Sequence, residues 1–561
     1  MRRLSGSGML WLRPVRCKGR QGVAGMNQDK DQVDSKRPQP RARLLWIVIA
    51  AILLGGAVVL TLSLVGPRSI SRGERPANDW DLTSPEEQDM DSGRLEAMMA
   101  YIDTHDMNVD SILIVRHGYL AFEKYGPRNS ASTPHKLQSV TKSVTSLLVG
   151  IALDRGLIES LDTPVTRLLP SYSPVNLDAR KEEMTLEHLL TMSDGLNWRE
   201  HDYPYEDPRN IVALMNQSRD AVQFVLDRPM AYAPGEVWAY NSGASVLLGA
   251  ILEEATGRNL LSFAREALFD PLGIGTIYWE ETAGSHYQTG GGLSMTPRDM
   301  ARLGSLMLHN GAWDGRQIVS ADWVARSTHA YYPAYNCFGY GYQWWILPGG
   351  QGFQANGLYG QHIYVLPQAD MVVVATASLA EDSVQQIDGL VHTFILPACT
   401  DLPQEPQRET YDAHGLTLEY PGGFCLEDGP IPGRATPSDA SGIVQLRANT
   451  EPFELVLVLW HALEGGEDAT DFLEAYLAGL AETGVEVTPG DSGESQQDGH
   501  AMALRYAELK IETAPVPSLT GAWICPESGR AFAATYLTAA GATPEDLLAG
   551  FQRNLAGLDC H

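Results

Sequence analysis

Metal-binding spacing is missing from this chain. Six cysteines in 561 residues form no C-x-x-C pair, and the fourteen histidines are scattered with no H-x-H cluster. The linear pattern points to no structural zinc module, no metal and no cofactor. Internal repeats are absent, which excludes solenoids and propellers. Cationic charge is short as well: 41 Lys+Arg stand against 69 Asp+Glu, a formal net charge of −28. Eleven of those cations lie in residues 1–43 with only three Asp, so the remaining chain is more acidic still. A body of that sign is a poor partner for nucleic acid and for anionic lipid. Hydrophobic content (44%) and charged content (20%) are ordinary for a globular protein, and the length exceeds one domain's usual size.

One long stretch lacks charge altogether. Leu44–Gly66 runs LLWIVIAAILLGGAVVLTLSLVG, 23 residues, long enough to cross a bilayer as a helix. The basic segment before it places the N-terminus in the cytoplasm by the positive-inside rule. The expected layout is a cytoplasmic leader (1–43), a transmembrane helix (44–66) and a polar tether (67–84) rich in Arg, Pro, Ser and Asp. The catalytic part then lies on the extracytoplasmic side of the cell membrane. A cleavable signal peptide fits less well, because both the basic and the apolar regions are too long and no A-x-A-like site follows. Met26 is an alternative start, since residues 26–43 alone would serve as a leader. Cys399, Cys425, Cys525 and Cys560 bracket or lie within the last part of the chain and invite two disulfides in an oxidising compartment. The pairing is open, with Cys337 left over in the catalytic domain.

Chemistry is carried by three segments in order. The first is Ser139-Val140-Thr141-Lys142, opening the run SVTKSVTSLLVGIALDRG. Val140, Val144, Leu147, Leu148 and Ile151 recur at helical spacing. Positions i and i+3 share a helix face, so a hydroxyl in the first turn is held beside an amine. A serine needs a neighbouring base to act as a nucleophile, and a buried lysine serves if desolvation lowers its pKa. The second is Pro234-Gly235-Glu236-Val237-Trp238-Ala239-Tyr240-Asn241-Ser242-Gly243, with Tyr240 in a loop entering a helix that ends at Gly257. Its phenol is a general base or proton shuttle if nearby lysine charge lowers its pKa. The third is Ala355-Asn356-Gly357-Leu358-Tyr359-Gly360-Gln361, read as the entry of an edge strand. Two apolar runs flanking Pro367–Asp370 form an antiparallel hairpin. Glycine there admits substrate to the backbone, and the amides of Leu358 and Ser139 are placed to form an oxyanion hole.

Together these segments resemble the serine β-lactamase and penicillin-binding-protein superfamily, for which S-x-x-K is a signature. The closer resemblance is to β-lactamase-related hydrolases of the class C and esterase type, including 6-aminohexanoate-dimer hydrolases. TLEHLLTMSDGLNW (185–198), LFDPLGI (268–274), GGGLSMTPRDMARLG (290–304) and FGYGYQWW (338–345) support it. The resemblance implies Ser139 as acylated nucleophile, Lys142 as its proton acceptor and Tyr240 as the relay to the leaving group. It matches Gly357 to the last glycine of the K-T-G or H-x-G strand and makes Leu358 the oxyanion amide. Three departures stand out. The Y-x-N motif is Tyr240-Asn241-Ser242, which puts a hydroxyl where an amide orients substrate. The cationic position of the third motif is Ala355. No E-x-x-L-N segment supplies a deacylating carboxylate. Ser242, Asp194 and Gln361 are substrate-side candidates.

The implied architecture is α+β: a β-lactamase/transpeptidase-like domain (85–399) with an antiparallel sheet flanked by helices, a linker (400–409) and a smaller α+β domain (410–561) without a catalytic constellation. In that last domain LTLEYPGGFCL, GIVQLRAN, FELVLVLW, AMALRYAEL, GAWICP and RAFAATYLT read as strands. TDFLEAYLAGL and TPEDLLAGFQRNLAGL read as helices, the latter capped by Thr543 with Pro544 at its first position. The expected activity is a membrane-anchored serine hydrolase acting on small-molecule or peptide esters or amides through an acyl-enzyme, with no obligate protein partner. Competing readings are a penicillin-binding-like sensor that acylates and turns over poorly, and a D-amino-acid carboxypeptidase acting on cell-wall peptides.

Overall fold

The computed structural model describes residues 71–72 and 80–560, apart from 283, 285, 382–385, 404–407, 422–423, 430–437, 439–440, 449–453, 464–467, 483–484, 498, 512–513 and 539–541. The leader and the apolar run Leu44–Gly66 lie outside the described residues. Among the described residues no helix is long and apolar enough to cross a membrane.

Among the described residues, the catalytic domain is built on an eight-stranded antiparallel sheet. Its order is Tyr119–Tyr125, Val109–Arg116, Met371–Ala377, Gln361–Leu366, Phe353–Gly357, Trp345–Ile346, Gly339–Tyr340 and Tyr332–Pro333. The first hairpin turns at His117 and Gly118, both with positive φ (50° and 83°). The hairpin around Pro367 pairs Leu366 with Met371 and His362 with Ala375. Side chains of a strand alternate between faces, and here both faces are covered. Leu113, Val115, Ile363, Val365, Val372 and Val374 pack into one core with the helices Val140–Asp154, Ser242–Thr256 and Pro297–Leu308. Ile112, Ile114, Tyr364, Leu366 and Val373 pack into a second core with the helix Ser92–Thr104 and the helical segment from Gln386 to Ala398.

The strand carrying Ala355 and Gly357 is interior, not the edge strand the sequence suggested. Its outer neighbour is short, however. Trp345 and Ile346 pair only with Gln354 and Phe353, so Ala355–Gly357 have no strand partner on that side. The opening faces the start of the Val140–Asp154 helix, which is buried on every side from Val140 to Ala152.

The C-terminal domain holds a seven-stranded antiparallel sheet in the order Phe424–Gly429, Ser441–Ala448, Glu454–Ala462, Arg530–Thr538, Ala514–Cys525, His500–Ile511 and Glu486–Gln497. The helix Ala469–Glu482 covers one face with Phe472, Leu473 and Leu477. The helix Pro544–Leu555 covers the other with Leu547, Phe551 and Leu555 against Trp460, Trp523 and Phe532. Thr543 caps that helix in a reciprocal box with Asp546. One reading needs correction. LTLEYPGGFCL is not one strand: Leu416–Pro421 pairs with Arg408–Ala413 and Gly557–Asp559, while Phe424–Gly429 joins the large sheet. Glu486–Gln497 is a further strand, although its sequence, EVTPGDSGESQQ, carries no strand pattern. As the outermost strand it has one partner and mostly exposed side chains, and it is bulged between Pro489 and Ser492; edge positions tolerate proline and polar residues.

The cysteines also depart from expectation. Cys337, taken as left over, is bonded to Cys425, and the bond joins the catalytic domain to the C-terminal one. Cys399, Cys525 and Cys560 are buried and outside that bond.

Candidate active site

Ser139 enters the site from the N-cap position of the Val140–Asp154 helix, with helical φ/ψ (−66°, −10°). The turn before it is unusual: Gln138 has φ 48°, a conformation few L-residues adopt. Lys142, one helical turn on, is 1% exposed. Its Nζ lies 2.9 Å from Ser139 Oγ and 2.6 Å from the carbonyl oxygen of Gly290, to which it donates. The glycine run 290–292, part of the family-like segment, thus supplies the acceptor that aims the amine. Burial lowers the Lys142 pKa to about 8, and the charge of Glu200 opposes that shift. A substantial neutral fraction therefore exists near neutrality, roughly a tenth at pH 7.

Tyr240 lies where the Ser139 side chain bears on its phenol, and its ring centroid is 5.0 Å from Lys142 Nζ. The sequence expectation was a phenol made acidic by lysine charge. The structure gives the opposite: burial first, then Glu200, push the phenol well above its ordinary value, and only the Ser139 side chain opposes them. Burial thus favours the protonated phenol, a group able to pass a proton on.

Gly357 closes the site from the strand. A Cβ there would sit 2.4 Å from the Leu137 carbonyl oxygen and 3.1 Å from the Ser139 amide nitrogen, so only glycine allows the strand this close to Ser139. Leu358 follows it, half-buried. Ala355 is fully buried in the core beneath.

The three substrate-side candidates point elsewhere. Ser242 donates its hydroxyl to Glu200 Oε1 at 2.5 Å. Asp194 is buried, bonded by both amide contacts of Asn241 (3.1 Å each) and by the Leu196 amide (3.0 Å). Burial raises its pKa to about 6. Gln361 gives its amide to the carbonyl of Ala377 at 2.6 Å, bridging to the neighbouring strand. All three hold backbone in place around Tyr240 and Gly357.

Glu200 escaped the sequence reading. It is 2% exposed and accepts from Trp198 Nε1 (2.7 Å), Tyr205 OH (2.7 Å) and the amide and hydroxyl of Ser242 (2.7 and 2.5 Å). Its stretch, NWREHDYPYED, reads as a solvated loop, and no local signal marks a buried carboxylate. Aromatic rings crowd the same space. Tyr240 stacks on Trp345 (5.7 Å) and His201 (5.8 Å), and Trp238 contacts Tyr335 (5.0 Å) and Tyr340 (5.4 Å). The result is a half-buried Ser139 hydroxyl and a buried Lys142 amine beside an aromatic wall.

Away from this site, His500, Cys525 and Cys560 bring their ligand atoms within 4.8 Å of one another in the C-terminal domain. Linear spacing hides that grouping, because the sheet and the chain's last residues assemble it. In the catalytic site no such cluster of metal ligands accompanies Ser139 among the described residues.

The model of the Beta-lactamase family matches residues 92–391. A 6-aminohexanoate-dimer hydrolase of Paenarthrobacter ureafaciens is 26% identical over 312 residues, covering 51% of this chain and 77% of that protein. Esterase EstB of Burkholderia gladioli is 32% identical over 191 residues, covering 32% of this chain and 46% of that protein. Among solved structures, FmtA from Staphylococcus aureus aligns with a TM-score of 0.44 at 18% identity, over 59% of this chain and 94% of that one.

Proposed function

The chain belongs to the beta-lactamase family and is a serine hydrolase of that kind, and from that footing we propose that it cleaves ester or amide bonds through an acyl-enzyme on Ser139. The observation that carries the reading is the fully buried Lys142 amine, 2.9 Å from Ser139 Oγ and poised near neutrality. Neutral Lys142 takes the hydroxyl proton as Oγ bonds to the substrate carbonyl carbon. The carbonyl π electrons move to oxygen, which the amides of Ser139 and Leu358 receive. As the tetrahedral centre collapses, the bond to the leaving group breaks, and the proton returns from Lys142 by way of Tyr240 to that group. Water then repeats the sequence on the acyl-enzyme, releasing the acid. Gly290 keeps the amine aimed throughout.

The substrates we propose are neutral esters, then amides, with an apolar or aromatic acyl part. The aromatic wall and the absence of a cation at position 355 support that class, as do the names of the hydrolase and esterase relatives. We further propose that Leu44–Gly66 anchors the catalytic part to the cell membrane on its extracytoplasmic side, from the 23-residue uncharged run and the basic segment before it.

A fluorophosphonate probe tests the centre of the reading. The expected result is one adduct, on the peptide carrying Ser139, alongside steady-state turnover of p-nitrophenyl esters. Ser139→Ala should abolish the adduct and lower turnover by several orders of magnitude. An adduct on a different serine would overturn the assignment.

A further inference from the structure

Among its described residues the C-terminal domain shows no catalytic constellation, yet its contacts with the catalytic domain lie beside the candidate site. Cys425 lies in the strand Phe424–Gly429, at one edge of the seven-stranded sheet. Its disulfide partner, Cys337, ends the short turn Tyr335–Cys337. The Cys337 sulfur is also 3.3 Å from the carbonyl oxygen of Leu426 on that strand. Two residues before Cys337, Tyr335 meets Trp238 at 5.0 Å and His201 at 5.5 Å, edge-on to both. Those rings stack on or abut Tyr240. Cys337 itself has φ 58°, a left-handed conformation that a β-carbon disfavours, so the turn needs an external hold to keep its shape.

A second link arises from the same cross-strand pair. Arg447 stands opposite Cys425 in the sheet. Its positive charge acts on Asp388 in the catalytic domain. Asp388 in turn accepts from Tyr364 at 2.5 Å, and Tyr364 is paired across the sheet with Gln354, on the strand that ends at Gly357. One edge of the C-terminal sheet therefore reaches both the aromatic wall and the strand behind the oxyanion amide.

We propose that the C-terminal domain is a specificity element of the catalytic site: through Cys425 it pins the Tyr335–Cys337 turn so that Tyr335 forms one wall of the pocket for the substrate's acyl group. Cys337 and Cys425 are positioning residues, acting through Tyr335. The inference rests on the acyl-enzyme reading above. It also gives the domain a role that needs no active centre of its own. A small acyl group does not reach the wall and is indifferent to it. A bulky aromatic acyl group packs against it, and a well-placed aromatic contact is worth about tenfold in affinity.

The test uses the full chain and two p-nitrophenyl esters, acetate and phenylacetate. Cys425→Ala should leave kcat and KM for the acetate, and fluorophosphonate labelling, within about twofold of the native protein. KM for the phenylacetate should rise about tenfold with kcat little changed. Tyr335→Ala should raise the phenylacetate KM to a similar degree, and the Tyr335→Ala/Cys425→Ala pair should be no worse than Tyr335→Ala alone. If Cys425→Ala fails to fold, the folded native protein is treated with a water-soluble phosphine. That opens the bond to two thiols, the phosphine becomes its oxide, and the same KM shift is expected. An unchanged phenylacetate KM once the bond is lost, or strict additivity of the two substitutions, would overturn the proposal. Native protein that neither labels nor turns over either ester would instead sink the acyl-enzyme reading, and the proposal with it.

Discussion

Glu200 holds Ser242 by two bonds at once, accepting from its backbone amide at 2.7 Å and from its hydroxyl at 2.5 Å. Ser242 begins the Ser242–Thr256 helix, and Tyr240 lies two residues before it. The buried carboxylate thus sets the position of the loop that aims Tyr240, and its charge reaches Lys142. It is a positioning residue with an electrostatic consequence. Glu200→Gln removes the charge while keeping one acceptor oxygen. The charge favours protonated Lys142, so its loss lets the amine deprotonate at lower pH. The rising limb of kcat/KM should move to lower pH, with a fall in Tm because several donors lose their ionised acceptor. An unmoved limb would show that the carboxylate is not felt at Lys142.

The pH profile of the native protein follows from the same lysine. The proposed mechanism needs the neutral amine, whose pKa burial lowers to about 8. kcat/KM should therefore rise with pH and level off above about 8. The stability linkage runs the same way. The folded-state value lies below the free-lysine value of 10.5, so between the two the unfolded chain binds more protons. Raising pH across that window favours the folded state from this residue alone. A profile flat from pH 6 to 9 would exclude Lys142 as the base.

Lys142 and Tyr240 share one proton path in the proposed mechanism. Lys142→Ala and Tyr240→Phe should each slow acylation strongly, and the double variant should be little worse than the worse single one. Pre-steady-state burst amplitudes and rates with a p-nitrophenyl ester separate acylation from deacylation. Strict additivity would count against a common path.

Gly357 has no room for a side chain. Gly357→Ala places a Cβ 2.4 Å from the Leu137 carbonyl oxygen and 3.1 Å from the Ser139 amide. The strand or the turn must move, and the Leu358 amide moves with it. The expected outcome is a loss of about 100-fold or more in kcat, the scale of a lost oxyanion donor, with KM far less affected. Native kcat in this variant would remove the strand from the oxyanion site.

Position 355 bears on substrate charge. Ala355 is fully buried and offers no cation. A hydrogen bond to a charged group contributes about 1.5–3 kcal/mol, so its absence corresponds to about 10- to 100-fold in selectivity. Methyl esters or amides should be turned over better than matched substrates with a free carboxylate. Paired kcat/KM values decide it. A clear preference for the carboxylate would point to a cation supplied from another loop.

Local pattern alone determined a good deal here. The helical spacing from Val140 to Ile151 places Ser139 and Lys142 one turn apart wherever that helix packs, because α-helix geometry is local. The hairpin at Pro367–Asp370 and the Thr543 cap were legible for the same reason: turns and caps are made by neighbours in sequence. What neighbours in sequence cannot specify is the environment. The pKa directions of Lys142 and Tyr240 depend on burial and on Glu200, some 40 to 60 residues from both. Ser242, Asp194 and Gln361 have substrate-like chemistry in one dimension, and only packing shows Ser242 held by Glu200, Asp194 by Asn241 and the amide nitrogen of Gln361 by Ala377. Glu486–Gln497 became a strand because a partner was present to accept its edge, against its own composition. The Cys337–Cys425 bond was beyond reach for the plainest reason. Two sulfurs 88 residues apart pair only when two separately cored domains dock, and docking is a property of surfaces that no single segment encodes.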